Sequence, residues 1–407
     1  MESGLGVVTN RYRYVIGSLS LLLSLSTGLV FLNVSPITPV IMDDYGVNRS
    51  TASLLVAGIL LANAAMAIPC VLLVGRVKIV TLISVFGIFA AIPIFSFAAD
   101  NFVMLLGMRM IFGVCAAGVI PLLFTVLMQW FPPKELPLVN GLNLAMMSGG
   151  IAISLYTGEW VADWIGWKNG LALYSVPSLL GAILWFLLAR TNPAAETAAK
   201  PLTLASIRKV FISKLTVLLA LADAGPLSQY VALSTWLPTF YYEIHGMDLG
   251  ESGEATSLLP LAGMVTVFVA GILALKVPRR KPFLLVSGLI LGVTGIASSV
   301  FATSDFLYVI LIIYGASSWL YTPFHVTIPM EVDGATEEQT AAILACIFTI
   351  GGFISFCAPI LVGTLADIFG SYMYGFWILA IFSWSLVITT FMLPETGVMQ
   401  KKRSSIS

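Results

Sequence analysis

The sequence predicts an all-α membrane protein, with twelve transmembrane helices arranged as two pseudo-symmetric six-helix bundles. Three observations predict it. The chain of 407 residues is 58% hydrophobic and only 10% charged, with a mean hydropathy of +0.98, far outside the range of soluble globular domains. Its apolar residues fall into twelve segments, each near the ~20 residues a bilayer core requires. Landmarks in the second half of the chain repeat those of the first at a nearly constant offset.

The segments run approximately 14 to 41, 51 to 74, 79 to 98, 102 to 128, 138 to 157, 169 to 189, 215 to 241, 255 to 275, 283 to 302, 306 to 329, 339 to 365 and 372 to 393. Backbone groups in lipid need internal partners, and these segments are too long for barrel strands, so the spans are helices. The first run is too long for a signal peptide and lacks a small-residue cleavage site, so it reads as an uncleaved span. With the amino terminus in the cytoplasm, 17 basic residues, among them Arg11, Arg13, Lys134, Arg208, Arg280 and Lys401, fall on inner loops, and only Arg49 and Lys168 on outer ones. That imbalance puts both termini inside a multi-pass plasma-membrane protein.

The longest polar interruption, 191–213, contains Pro193 and Pro201 and reads as a cytoplasmic linker between an N-terminal bundle, 1–190, and a C-terminal bundle, 214–407. Gly113 and Gly315, Pro121 and Pro323, and Gly149-Gly150 and Gly351-Gly352 are each 202 residues apart. Ala162-Asp163 and Ala366-Asp367, and Gly166 and Gly370, are 204 apart. Such a duplication is how many secondary transporters are built, with the site near mid-membrane between the repeats.

The remaining composition excludes other classes. Twenty basic and twenty acidic residues cancel, so nothing points to nucleic acid. The four cysteines lie in apolar segments, and Cys346 and Cys357, eleven residues apart on one helix, are separated by roughly 16 Å and cannot bond to each other. No phosphate-cradling glycine loop with its lysine is present, and His245 and His325 have no metal-ligand spacing. Neither an enzyme nor a bound cofactor or metal is expected.

Arg109 lies inside the run FVMLLGMRMIFGVCAAGVIP, 102–121. An arginine near mid-membrane costs roughly 2.5–3.5 kcal/mol on insertion scales and is rarely left facing lipid. One turn away on either side lie Leu105, Leu106, Phe112 and Gly113, whose side chains accept no protons, so the partner must come from another helix, water or a solute. Asp223 is the second anomaly, about 12 Å into the seventh span; its depth differs from that of Arg109 by only about 7–8 Å. Asp223, Tyr230, Ser234 and Tyr241 share one face of the seventh span, and Tyr314, Ser318, Tyr321 and His325 one face of the tenth. Polar stripes do not face lipid cheaply, so both face the interior. His325 lies close to the cytoplasmic end. Asn33, Asn63 and Asn143 are weaker candidates; Asn48-Arg49-Ser50 is a glycosylation sequon on the outer side. The outer acids Glu243, Asp248, Glu251 and Glu254 read as a solvated loop.

The twelve-helix plan, the linker and the motif R109-x3-G113-x4-G118-x2-P121 together resemble the major facilitator superfamily over essentially the whole chain. Trp130-Phe131-Pro132-Pro133-Lys134-Glu135, then Asn140-Gly141-Leu142 and Gly166-Trp167, resembles its branch of cyanate-permease-like and organic-anion carriers. The resemblance implies that the first, fourth, seventh and tenth helices line a central cavity, which puts Arg109 and Asp223 there on opposite halves. The sequence departs from the family in the loop after the second span, Val74-Gly75-Arg76-Val77-Lys78, and in its counterpart from Leu275 to Lys281. Neither carries the usual aspartate, which leaves the inner latch unassigned. The antiporter signature of the fifth span is represented only by Gly141, Gly149 and Gly150.

The expectation is therefore a monomeric secondary active transporter of a small anionic solute, working by alternating access in the lipid bilayer. Substrate-binding candidates are Arg109, Tyr230, Ser234, Tyr314, Ser318, Tyr321 and Asn33. Asp223 is the candidate coupling residue, as counter-ion of Arg109 or as proton acceptor, with the proton as coupling ion. The structural alternative for Arg109 is a charge satisfied by carbonyls of its own half; for Asp223 it is a carboxyl in a wet vestibule. An exporter of amphipathic compounds, with Trp236 and Trp319 dominating its pocket, and a non-transporting receptor or scaffold are the rival functions.

Overall fold

A computed structural model of the chain describes residues 11–73, 76–132, 135–192, 203–332 and 336–396. Val74, Gly75, Pro133, Lys134, Pro193, Pro201 and the basic residues Lys401, Lys402 and Arg403 lie outside the described residues. Twelve helices among the described residues are long and apolar enough to span a bilayer: Tyr12–Tyr45, Arg49–Leu73, Ile79–Ala98, Phe102–Trp130, Leu138–Ile165, Trp167–Leu188, Lys214–His245, Leu249–Ala274, Lys281–Val300, Leu307–Glu331, Gln339–Phe369 and Met373–Met392. A short helix, Leu204–Phe211, lies between the sixth and seventh spans, with Thr203 as its N-cap and Ile207 and Val210 buried.

Several spans are interrupted. The first is helical over Tyr12–Phe31, turns through a 3-10 segment at Ser35–Ile37 and resumes over Thr38–Tyr45. Pro36 and Pro39 explain the break: each lacks an N–H and crowds the carbonyl four residues before it. The tenth is helical over Leu307–Leu320 and Thr322–Glu331, interrupted at Tyr321 two residues before Pro323.

The repeat landmarks hold equivalent places. A Cβ on Gly113 would stand 2.8 Å from the Ile59 Cα, and one on Gly315 2.7 Å from the Leu259 Cα. The fourth span is thus pressed against the second as the tenth is against the eighth, an approach only glycine permits. The four positive-φ glycines also pair across the repeat: Gly46 (62°) with Gly246 (67°), and Gly166 (82°) with Gly370 (66°). Each follows the end of a helix, where the left-handed region suits glycine.

Two seams join the first six spans to the last six, the fifth running along the eighth and the second along the eleventh. In the first, the Ser148 hydroxyl donates to the Pro260 carbonyl (2.7 Å); in the second, Gly352 meets Ala64. The turn Ser35–Ile37 packs against the seventh and eighth spans.

At the face away from residue 11 the halves are also tied by charge. Arg49 Nη2 donates to Glu243 Oε2 (2.7 Å) and its Nε to the Tyr372 hydroxyl (2.7 Å). Asp367 accepts from the backbone N–H groups of Arg49 (3.2 Å) and Ser50 (2.8 Å), covering the start of the helix Arg49–Ala52. Burial, with Glu243 beside it, raises the Tyr372 phenol above its ordinary range, so the phenol stays a donor. This corrects the expectation for Glu243: it is the partner of Arg49 and Tyr372, not one acid of a solvated loop.

Candidate functional site

The break in the first span decides the fate of Arg109. Interrupting the helix after Phe31 frees its last carbonyls, and a helix carboxyl end carries partial negative charge. Arg109 Nη1 donates to the Val30 carbonyl (2.6 Å) and to Asn33 Oδ1 (2.7 Å), Nη2 to the Phe31 carbonyl (2.7 Å), and Nε to the Leu55 carbonyl (3.0 Å). Four of the five N–H groups are thereby committed, and the residue is 1% exposed. The charge joins the first, second and fourth spans. This corrects the expectation of a guanidinium open to solute: its compensation comes from carbonyls and a helix end in its own half.

Asp223 is likewise held within its own half. The Tyr321 hydroxyl donates to Asp223 Oδ1 (2.9 Å), and Gly351 of the eleventh span passes close to Oδ2. Arg109 and Asp223 form no ion pair, which corrects the expectation that Asp223 is the resting counter-ion of Arg109.

The stripes of the seventh and tenth spans face each other. Tyr230 and Trp319 meet edge to face at 5.8 Å between ring centroids, and Tyr314 lies next to Tyr230 and Ser318. Both tyrosines sit in one apolar cluster with Leu32, Val34, Leu233 and Leu259. Around it, the hydroxyls of Tyr230, Ser234 and Tyr314 and the Trp319 indole N–H are buried with no hydrogen bond of 3.5 Å or less among the described residues, Tyr230 lying beside Ser234 and Trp319 and Tyr314 beside Ser318. Asn33 adds a fifth such group, because its oxygen accepts from Arg109 while its amide nitrogen has no partner. An unsatisfied buried polar group costs about 1–3 kcal/mol, and four of these groups, on Tyr230, Ser234, Tyr314 and Trp319, lie together where the seventh and tenth spans meet.

Other candidates are fully engaged. The Ser318 hydroxyl donates to the Tyr314 carbonyl (2.8 Å), that of Tyr241 to the Ser298 carbonyl (2.9 Å), and His325 Nε2 pairs with the Leu219 carbonyl (2.9 Å). Trp236 donates to the Pro359 carbonyl and is wholly buried in packing. Asn143 bonds Ser24 and Val139, and Asn48 is the N-cap of its helix. The sequence offered Trp319 only for the rival exporter's pocket: it lies off the stripe of Tyr314, Ser318 and Tyr321, and its contact with Tyr230 is what places it beside them.

The sequence pattern of the Major Facilitator Superfamily matches residues 20–355. The chain belongs to that superfamily. It is 26% identical over 246 residues to the cyanate transport protein CynX of Escherichia coli, covering 59% of this chain and 61% of that protein. To a hexuronate transporter of Bacillus subtilis it is 24% identical over 339 residues, 74% of this chain and 75% of the other. A bacterial homologue of the human lysosomal transporter Spinster, solved in an inward-facing and occupied conformation, matches with a TM-score of 0.72 and 17% identity over 94% of this chain and 96% of that one, which shows the shared fold.

Membership of the superfamily makes this a multi-pass membrane transporter, and the motif of its fourth span acquires physical roles. Arg109 ties three spans, Gly113 admits the second span, and Gly118 lies under the Phe86 ring. In the second half the basic loop that lacks an acid of its own meets acids distant in sequence. Arg280, 3% exposed, pairs bidentately with Glu331 (2.6 and 3.1 Å), and its backbone N–H donates to Glu395 (2.7 Å). In the first half, Arg13 pairs with Glu135 (3.2 Å).

Proposed function

We propose that this transporter is a secondary carrier of a small anionic solute, working by alternating access between halves 1–190 and 214–407 hinged by the linker 191–213. The observation that carries this reading is a set of buried polar atoms with no hydrogen bond of 3.5 Å or less, on Tyr230, Ser234, Tyr314 and Trp319 of the second half and on Asn33 of the first. The amide and indole nitrogens are donors only, and the hydroxyls can all donate, so the site matches an acceptor-rich ligand. Asn33 supplies the first half's contribution, held in register by Arg109; Tyr230, Ser234, Tyr314 and Trp319 supply the second half's. Cyanate and hexuronate, named for two relatives, are both anions. Tyr321 and Ser318 support the site through their bonds to Asp223 and to the Tyr314 carbonyl.

Asp223 is the proton-coupling residue of this reading, since it lies at one end of the cluster and is in part exposed. The molecule sits in the plasma membrane as a monomer with both termini cytoplasmic, so the ties at Arg49 close the outer face.

Counter-flow in proteoliposomes tests this. Vesicles preloaded with an unlabelled anion are expected to accumulate the same labelled anion, and Asn33→Ala is expected to lower uptake at least tenfold, the equivalent of one charged-ligand hydrogen bond. Saturable uptake of an identified anion that is unaltered in Asn33→Ala and in Tyr314→Phe would remove the site from the mechanism.

A further inference from the structure

The face that carries residue 11 holds charge that the candidate site does not use. In the first six spans, five described cations reach it, Arg11, Arg13, Arg76, Lys78 and Arg190, against a single described acid, Glu135. Glu135 is committed to Arg13 at 3.2 Å, and among the described residues the other four cations form no ion pair.

Two hydrogen bonds bring three of the helix ends on this face together. The Tyr12 hydroxyl donates to the Leu188 carbonyl, joining the start of the first span to the end of the sixth. The Trp185 indole N–H donates to the Val80 carbonyl (3.2 Å), joining the end of the sixth to the start of the third. Arg11 precedes Tyr12, Lys78 is the N-cap of the third span's helix, and Arg190 lies just beyond the last turn of the sixth. Each helix end therefore contributes one cation at the same level. The Arg190 guanidinium lies over the Tyr12 ring, 4.8 Å from its centroid, which holds the charge at the corner without neutralising it.

Below the charges the surface is hydrocarbon. Tyr14 is 57% exposed, Phe186 66% and Leu187 67%, all within the first turns of the first and sixth spans from this face. Cations over an apolar flank complement a molecule with an anionic head and apolar tails, and a membrane-spanning helix end is where such a molecule is at hand. A free anion would use the cations alone and leave the flank without a role.

We infer that this corner of the first half binds an anionic phospholipid, its phosphate meeting Arg11, Lys78 and Arg190 and its acyl chains lying along Tyr14, Phe186 and Leu187. The lipid braces the first, third and sixth spans as one body. It takes no part in solute binding, since Asn33 and Tyr314 lie elsewhere in the bundle, so the assignment stands whatever the solute is.

The test is lipid binding to the purified full-length chain in a neutral detergent, read by thermal unfolding and by mass spectrometry of the intact protein with its retained lipids. The probes are phosphatidylglycerol, phosphatidylcholine, glycerol phosphate and inorganic phosphate. Phosphatidylglycerol is expected to raise the unfolding midpoint and to bind at least tenfold more tightly than phosphatidylcholine, while the two tail-less anions give no shift at the same concentration. Lys78→Gln with Arg190→Gln is expected to weaken phosphatidylglycerol about tenfold or more, each surface cation contributing roughly a factor of five. Lys276→Gln with Arg279→Gln removes equal charge from exposed positions on the same face of the second half and is expected to change the affinity less than about threefold. Should the first double variant fail to fold, Arg190→Gln alone takes its place, with a loss of about fivefold expected. Equal binding of the two lipids, retention of neither, no loss in the Lys78 and Arg190 variant, or an equal loss in the two double variants overturns the assignment. Glycerol phosphate or inorganic phosphate binding as tightly as the lipid also overturns it, marking a free-anion site in its place.

Discussion

At the scale of the residue, the chemistry turns on how a buried arginine is neutralised. A guanidinium has five donors in a fixed fork, and at Arg109 four of them meet acceptors supplied by a broken helix, by Asn33 and by Leu55 of the second span. Lysine cannot reproduce that fork. Arg109→Lys is expected to destabilise the protein by about 2–4 kcal/mol, measured as a lowered unfolding midpoint in detergent. The same variant is expected to weaken solute affinity by releasing Asn33. A native midpoint in Arg109→Lys would mean that the carbonyls of Val30 and Phe31 are satisfied without the fork. That an arginine stands alone in an apolar span was plain in the sequence; where it points was not, because the carbonyls that receive it exist as acceptors only once Pro36 and Pro39 interrupt the first helix. The polar stripes were legible because helical period alone puts Tyr230 with Ser234 and Tyr314 with Ser318. Trp319 was not, since its membership depends on a helix from elsewhere in the chain.

At the scale of the element, backbones meet where glycine permits it. Gly113 and Gly315, 202 residues apart in sequence, face Ile59 and Leu259, 200 apart, so the duplicated halves keep the same inter-helix contact. Gly315→Val is expected to abolish stable expression or lower the unfolding midpoint sharply, because its branched side chain would enter the Leu259 backbone. Gly107→Ala, on the same span as Gly113 but with open space at its Cβ, is expected to leave the midpoint within a degree or two. Thermal unfolding of both variants by tryptophan fluorescence decides it; equal effects would mean that the close approach is not what glycine provides. The twelve spans and their order were readable from hydropathy. The partners of Arg280 were not: Glu331 lies 51 residues away and Glu395 lies 115, and no local pattern links a loop to two distant helix ends.

At the scale of the whole molecule, the two faces are fastened differently. Arg280 and its acids all belong to the last six spans and the segment that follows them, whereas Arg49, of the first six, is bonded to Glu243, Asp367 and Tyr372 of the last six. Moving one half against the other leaves the former group intact and breaks the latter. Arg49→Gln is therefore expected to raise the population open on that face. Spin labels on the exposed positions Asp43 and Glu251, one in each half, are expected to report a longer distance in the variant than in the native chain. An unchanged distance distribution would mean that the helix seams alone hold the face shut.

In the alternating-access reading proposed above, the tie at Arg49 has a consequence for turnover. Asp367 covers the first amides of a helix that belongs to the opposite half, so each excursion strips those amides and an arginine of their partners together, and water must arrive to replace them. Opening toward the medium is then gated by wetting of a few ångströms of polypeptide, and a dehydrating osmolyte should slow that half of the cycle and spare the other.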